Sequence, residues 1–393
     1  MRIGVRLRPW LFRAHLVLGL TVGLWFVLMG LTGSLLVFVR SWQPITEPSP
    51  VTKPNPERPC LSLSQAMARI REQLPDVPEK DLARIQLPTG SNAPYRLQIG
   101  EHSAVTTVRE ALADRCTGTI LQNKRLIDTP AGFLLLLHLY LLLGLTGERI
   151  NGVLGIVTVG LLLSGIALRW PPTVTAMKAV FAFPRNASLR RQLHEWHYRT
   201  GLLALPVLLL IVGTGISIVF REELQPILFA MTRTPPPTKP PPIVPSGDTP
   251  RLPAERLLKI AAQIEPSASI ERIVYPTRPD APLVVRKSRG ETGLLSRIQI
   301  TLDPYTGQVL QIEDERTAPI GRKIVRSLTR LHFGWWGGSV SQVVYALAGG
   351  TPLLLMLTGA VKYAERRKAR ASKRRTNAPP VADTRMNADP GPK

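Results

Sequence analysis

No G-x-G-x-x-G fingerprint marks a built-in flavin or nicotinamide domain in these 393 residues. The glycines of GVLGIVTVG, Gly152 to Gly160, lie inside an apolar run and read as helix packing. Cysteine is nearly absent. Cys60 and Cys116 are the only two, which allows one disulfide in an oxidising envelope, with two free or separately buried thiols as the alternatives. Acidic residues are scarce as well, 27 against 50 basic, for a formal net charge of +23.

The composition, 44% hydrophobic with a mean hydropathy of +0.06, hides a contrast between very apolar runs and polar, Pro-rich stretches, so a single globular fold is a poor description. Leu11 to Val39, Gly152 to Leu168, Gly201 to Phe220 and Val340 to Val361 are each long enough for a membrane helix. The first has no small-residue cleavage pattern after it and reads as a retained anchor rather than a signal peptide. None of the four carries a carboxylate array for proton or cation coupling, which argues against a transporter.

The basic residues flank these runs. Arg2, Arg6, Arg8 and Arg13 precede the first; Lys178, Arg185, Arg190, Arg191 and Arg199 lie between the second and third; Lys362, Arg366, Arg367, Lys368, Arg370, Lys373, Arg374 and Arg375 follow the fourth. The positive-inside rule puts both termini and the middle connection in the cytoplasm of a bacterial inner-membrane protein. The charge is then topology and lipid contact, with no nucleic-acid partner expected. The two long stretches, roughly 41 to 130 and 221 to 330, lie outside in the periplasm.

Each outer stretch reads as a small α+β module. LSLSQAMARIREQL is an amphipathic helix followed by strands RIQLP, YRLQI and TGTILQ; LPAERLLKIAAQI is its counterpart, followed by RIVYP, PLVVRK, RIQITLD and TGQVLQI. The order repeats and extends into the membrane, predicting a four-span α-helical bundle built as two parallel repeats. The predicted segments are 1–40, N-terminus and first span; 41–130, first module; 131–170, an interfacial or partly inserted helix turning at Gly147 to Gly152 and the second span, with one long tilted span as the alternative. A cytoplasmic connection at 171–198, the third span at 199–220, and a Pro-rich linker with the second module at 221–330 follow. The chain closes with an outer loop and fourth span at 331–362 and a basic, disordered tail at 363–393. TPPPTKPPPIVP is an extended linker.

Five of the six histidines sit at or beside the apolar runs. Duplication pairs His15 with His197 near the cytoplasmic side and His138 with His332 near the outer side; His102 lies outside the pattern. Residues at opposite ends of a roughly 20-residue span are about 30 Å apart, so one metal cannot collect ligands from both levels. An isolated intramembrane histidine is ordinarily a hydrogen-bonded packing residue, but matched depth in two repeats favours two bis-histidine b-type haems, His15 with His197 and His138 with His332. His194, three residues before His197, has three open roles: propionate partner, inner ligand or interfacial residue. Arg13, Arg190, Arg191 and Arg199 are candidates for the inner propionates, and Arg326 and Arg330 for the outer ones, against ordinary topological or snorkelling roles. Trp335 and Trp336 are more simply interfacial belt residues than a lining for the outer site.

HLVLG, LHLYLLLG, SGIALRW, LHEWHYRTG, RLHFG, LTGAVKY and DPYTGQVL together resemble the PepSY-associated transmembrane family, which includes iron-regulated membrane proteins and dihaem ferric-siderophore reductases of bacterial inner membranes. The likeness covers roughly residues 10 to 365; the first module departs from it with DRCTGTIL. The resemblance implies His15, His138, His197 and His332 as haem ligands and two external PepSY modules. It also implies a one-electron relay, without a catalytic nucleophile or general acid, that reduces a ferric siderophore or another periplasmic acceptor. Electrons would come from a quinol or a separate cytoplasmic reductase. The alternative is a non-redox membrane scaffold or regulator whose modules bind a peptide or envelope protein.

Overall fold

The computed structural model describes residues 6–50, 60–82, 84–88, 93–171, 173–181, 188–238, 240–243, 250–276, 278–290 and 292–376. Helix α1 (Arg8–Val37) is continued by α2 (Val39–Thr46). The first extramembrane module holds α3 (Leu63–Glu72) and strands β1 (Arg84–Gln86), β2 (Tyr95–Ile99), β3 (Arg109–Ala113) and β4 (Ile120–Arg125). Helix α4 (Pro130–Tyr140) leads into α5 (Gly144–Leu168), and α6 (Val174–Lys178) lies in the connection to α7 (Leu189–Val219). After α8 (Arg221–Met231) come α9 (Ala254–Gln263) and strands β5 (Ser269–Val274), β6 (Leu283–Ser288), β7 (Arg297–Leu302) and β8 (Val309–Asp314). Helices α10 (Ile320–Phe333) and α11 (Gly338–Thr376) close the chain.

Among the described residues four helices are long and apolar enough to cross a membrane: α1, α5, α7 and the stretch Trp335–Ala369. The protein is a multi-pass membrane protein. Helix crossings use small residues: Gly30 faces Gly349 where α1 meets α11, and Gly155 faces Ile216 where α5 meets α7. Outward leucines such as Leu24, Leu163 and Leu357 stay exposed, as a lipid-facing surface requires.

The extramembrane part is a single antiparallel sheet of eight strands in the order β4-β3-β2-β1-β5-β6-β7-β8. Two separate modules were expected from the sequence; instead β1 pairs with β5, with Ile85 opposite Ile273, and joins the halves. One face is apolar and packs against α3 and α9 through Ile70, Ile85, Leu97, Leu257, Ile273 and Ile300. Each such side chain taken fully from water contributes about 1.5–3 kcal/mol. Helix α3 starts at a capping box between Ser62 and Gln65. Helix α9 ends against the buried Lys287, whose Nζ donates to the carbonyls of Ala261, Ala262, Ile264 and Glu265. A disulfide joins Cys60 to Cys116 across 56 residues and ties the start of this layer to the β3–β4 turn.

Several boundaries differ from the sequence expectation. Strand β3 reads REALA and went unrecognised because Glu and Ala have low strand propensity; flanking β2 and β4 hold it extended. The turn between α4 and α5 falls at Leu141 to Leu143, with Leu141 and Leu142 both left-handed, rather than at Gly147 to Gly152. Gly147 lies inside α5, where a Cβ would collide with the Tyr140 carbonyl. Helix α7 begins at Leu189, so the connection expected over 171–198 ends ten residues earlier. The loop expected from residue 331 is instead the last turn of α10, which stops at the left-handed Gly334. Residues 363–376, expected in a disordered tail, continue α11. Of the linker, Thr234 to Thr238 and Pro240 to Ile243 carry no helix or strand. Arg2, Arg185 and the tail from 377 to 393 lie outside the described residues.

Candidate functional site

The four histidines meet in two pairs. The rings of His15 on α1 and His197 on α7 have centroids 6.4 Å apart with planes at 81°. Those of His138 on α4 and His332 on α10 are 6.2 Å apart at 44°. Helix geometry separates the pairs in depth. His138 packs against Gly33 on the same helix that carries His15, and the intervening 18 residues at 1.5 Å each span about 27 Å.

Every ring is pinned in the same way. Nδ1 of His15 bonds Ser164 Oγ at 2.8 Å, that of His138 bonds Thr32 Oγ1 at 2.9 Å, and that of His197 bonds Thr358 Oγ1 at 2.9 Å. Nδ1 of His332 bonds Thr214 Oγ1 at 3.2 Å and the carbonyl of Ile211 at 3.0 Å. Each hydroxyl donates its only proton to a carbonyl three or four residues back in its own helix, those of Leu161, Leu28, Leu354 and Leu210. It can therefore only accept from the histidine. The network assigns the proton to Nδ1 in all four rings and leaves Nε2 as the basic nitrogen. Among the described residues nothing bonds to any of these four Nε2 atoms.

The residue after each hydroxyl is glycine: Gly33, Gly165, Gly215 and Gly359. A Cβ there would lie 3.1, 3.2, 3.1 and 3.6 Å from Cε1 of His138, His15, His332 and His197. The hydroxyl orients the ring and the glycine admits it. Thr32, Ser164, Thr214 and Thr358 carry no such role in the sequence expectation, although each of the four membrane helices holds a Thr-Gly or Ser-Gly pair.

A metal between two imidazoles needs two metal–nitrogen bonds of about 2 Å plus two ring radii of about 1 Å, or about 6 Å between centroids. Both pairs meet that length. Among the described residues no group of three or more His, Cys, Asp or Glu could hold an ion, so a metal held by either pair would need its remaining coordination from elsewhere.

The His15–His197 pair lines a cavity of about 970 Å³ that opens at the end of the bundle away from the sheet. Gly19, Gly23 and Gly201 keep its wall thin, and Arg8, Arg169, Lys362 and Arg366 line it. Arg8, Lys362 and Arg366 carried only a topological meaning in the sequence, and Arg169 none. Their relevance was nonetheless written in helical spacing, since Lys362 is one turn beyond Thr358 and Arg8 two turns before His15.

The other expected residues are placed differently. His194 lines the same cavity, but its Nε2 accepts from Arg169 at 2.6 Å. Arg13 stacks on Trp10, and Arg199 pairs with Glu195; neither lines the cavity. Arg190 pairs with Glu365, while Arg191 is exposed. On the sheet side, Arg330 is buried and donates to the Gly293 carbonyl, and Arg326 pairs with Glu313. An aromatic series runs outward from His332 through Phe333 to Trp335, with ring centroids 5.9 and 4.8 Å apart, and Arg40 covers Trp335.

The family model of the PepSY-associated TM region matches residues 12–366. No curated protein matches the chain.

Proposed function

We propose that this chain, which belongs to the PepSY-associated transmembrane family, is a bacterial inner-membrane electron carrier that binds two b-type haems. His15 and His197 would hold the inner one, and His138 and His332 the outer. The observation that carries the reading is the pair of imidazole couples at metal-bridging distance, each ring with Nδ1–H committed to a hydroxyl. A macrocycle completes a two-ligand site by supplying the other four nitrogens, which answers the missing coordination. When bound, such a group supplies a one-electron Fe(III)/Fe(II) couple.

The protein's own part is positional. Ser164, Thr358, Thr32 and Thr214 fix tautomer and ring plane, as outer partners of metal-bound histidines do. Arg8, Arg169, Lys362 and Arg366 offer positive partners for carboxylates at the inner cavity. The halves are read as parallel repeats, because the His15–Ser164 and His138–Thr32 contacts of one recur as His197–Thr358 and His332–Thr214 in the other.

Electrons would come from a quinol or cytoplasmic reductase and leave on the periplasmic side. The acceptor best suited to this chemistry is a ferric siderophore, since hard oxygen ligands favour ferric iron and adding one electron loosens the chelate. A second reading, a non-redox membrane scaffold or regulator that binds an envelope protein or peptide, draws on the continuous external sheet and the family match, neither of which requires a metal.

Reduced-minus-oxidised spectra with a pyridine haemochrome count on purified protein separate the two. Two b haems per chain are expected, one lost on changing His15 or His197 to Ala and the other on changing His138 or His332. Haem-free protein after haem-supplemented expression overturns the relay and leaves the scaffold.

A further inference from the structure

The side of the sheet opposite α3 and α9 is turned toward α10, the helix of His332, because Arg326 of α10 reaches Glu313 on it. This side is strongly basic. Arg272 on β5 stands directly opposite Arg286 on β6, and Arg297 on β7, two residues from the Arg286 partner Gln299, is its same-face diagonal neighbour. Like charges directly opposite in an antiparallel pair, with Cβ atoms about 5 Å apart, destabilise the sheet.

Three of the carboxylates nearby are already engaged. Glu101 pairs with Arg84, Glu110 with Arg96, and Glu313 with Arg326. Among the described residues no ion pair joins a carboxylate to the guanidinium of Arg272, Arg286 or Arg297; Arg286 Nε donates to Gln299, and the Glu315 carboxylate accepts from the Arg297 backbone N–H. Glu271, in the bulge beside Arg272, forms no such pair. Desolvation and then the charge of Arg297 depress the Arg272 guanidinium, with Glu271 acting against them; desolvation, Arg272 and Arg297 depress Arg286. Three planar forks thus share one face without an ion pair of their own.

We propose that this face binds a polycarboxylate ligand, clamped by Arg272 and Arg286 with Arg297, and that the ligand is a soluble iron chelate whose outer surface carries carboxylates. Guanidinium forks match carboxylates two bonds at a time, and an anion here removes the repulsion the sheet otherwise bears. The chelate's role as electron acceptor rests on the haem reading above; its binding does not.

The test is calorimetric titration of the full chain in detergent with gallium(III) citrate, which is redox-inert, and with the neutral gallium(III) tris-acetohydroxamate. Saturable binding of the citrate complex alone is expected, weakening with salt and falling about tenfold or more in R272Q/R286Q while the haem count stays at its wild-type value. If that variant lacks the wild-type melting transition, R272K/R286K replaces it and is expected to bind more weakly than wild type, because it keeps both charges and loses the forks. Wild-type affinity in the folded variants overturns the proposal. So does equal binding of the neutral complex, or a signal that appears only with phosphatidylglycerol vesicles, which would mark a lipid-headgroup site. Because the probe is redox-inert, absence of haem with intact citrate binding sinks the relay and spares this site.

Discussion

A histidine ring near a metal is useful only if one nitrogen is kept free, and here a hydroxyl on a neighbouring helix does the keeping. Thr358→Val preserves shape and removes the acceptor for His197 Nδ1–H. Haem affinity at the inner site is expected to fall about 10–100-fold, the usual effect of losing an outer partner, as read by haem transfer to apomyoglobin; the outer haem is unaffected. The glycines supply a paired contrast. Gly165→Ala places a methyl 3.2 Å from the His15 ring, whereas Gly160 has nothing within 4 Å. Alanine is better than glycine inside a helix by about 1 kcal/mol, so Gly160→Ala is expected to raise the melting temperature slightly, and Gly165→Ala to lose inner haem absorbance. These hydroxyl and glycine positions were visible in the sequence as recurring dipeptides. Their meaning was not, because Ser164 is 149 residues from His15.

The external sheet is the element whose stability responds to pH. His102, the one histidine outside both pairs, accepts from Gln98, and burial followed by the charge of Arg84 lowers its pKa. A base that is harder to protonate when folded opposes acid: its contribution is whole above the unfolded value of about 6.5 and erodes as pH falls below it. Asp314, held below its ordinary range by the bonds from Arg289, acts in a lower window. Its contribution is present above about pH 4 and is lost as pH drops through the folded value. The melting temperature of the sheet is therefore expected to climb between pH 5 and 7 in the wild type. His102→Gln should flatten that rise and leave the loss below pH 4, as followed by near-ultraviolet circular dichroism. Seven of the eight strands were legible from alternation or turn residues. Strand β3 was not, because its neighbours rather than its composition hold it extended.

At the scale of the molecule, the proposed orientation puts the sheet in the periplasm and the basic helix ends in the cytoplasm. The sheet lies where α1 and α7 end and α5 and α11 begin, opposite the basic end of α11. An impermeant maleimide is expected to label Ser267→Cys in intact spheroplasts and Lys368→Cys only after permeabilisation. Label on Lys368→Cys before permeabilisation would invert the orientation and exchange the donor and acceptor sides.

The sequence by itself determined the four membrane-length apolar helices, the place of five of the six histidines at or beside them, and seven of the eight strands. These are properties of local composition and period, and hydrophobicity over 20 residues suffices for them. Tertiary structure alone decided that the expected histidine pairs close to about 6 Å, which nitrogen stays basic, which cations line the inner cavity, and that two modules share one sheet. Each of those depends on helix crossings and strand pairings between residues far apart in the chain, whose register follows from small residues meeting across an interface rather than from any run of adjacent letters.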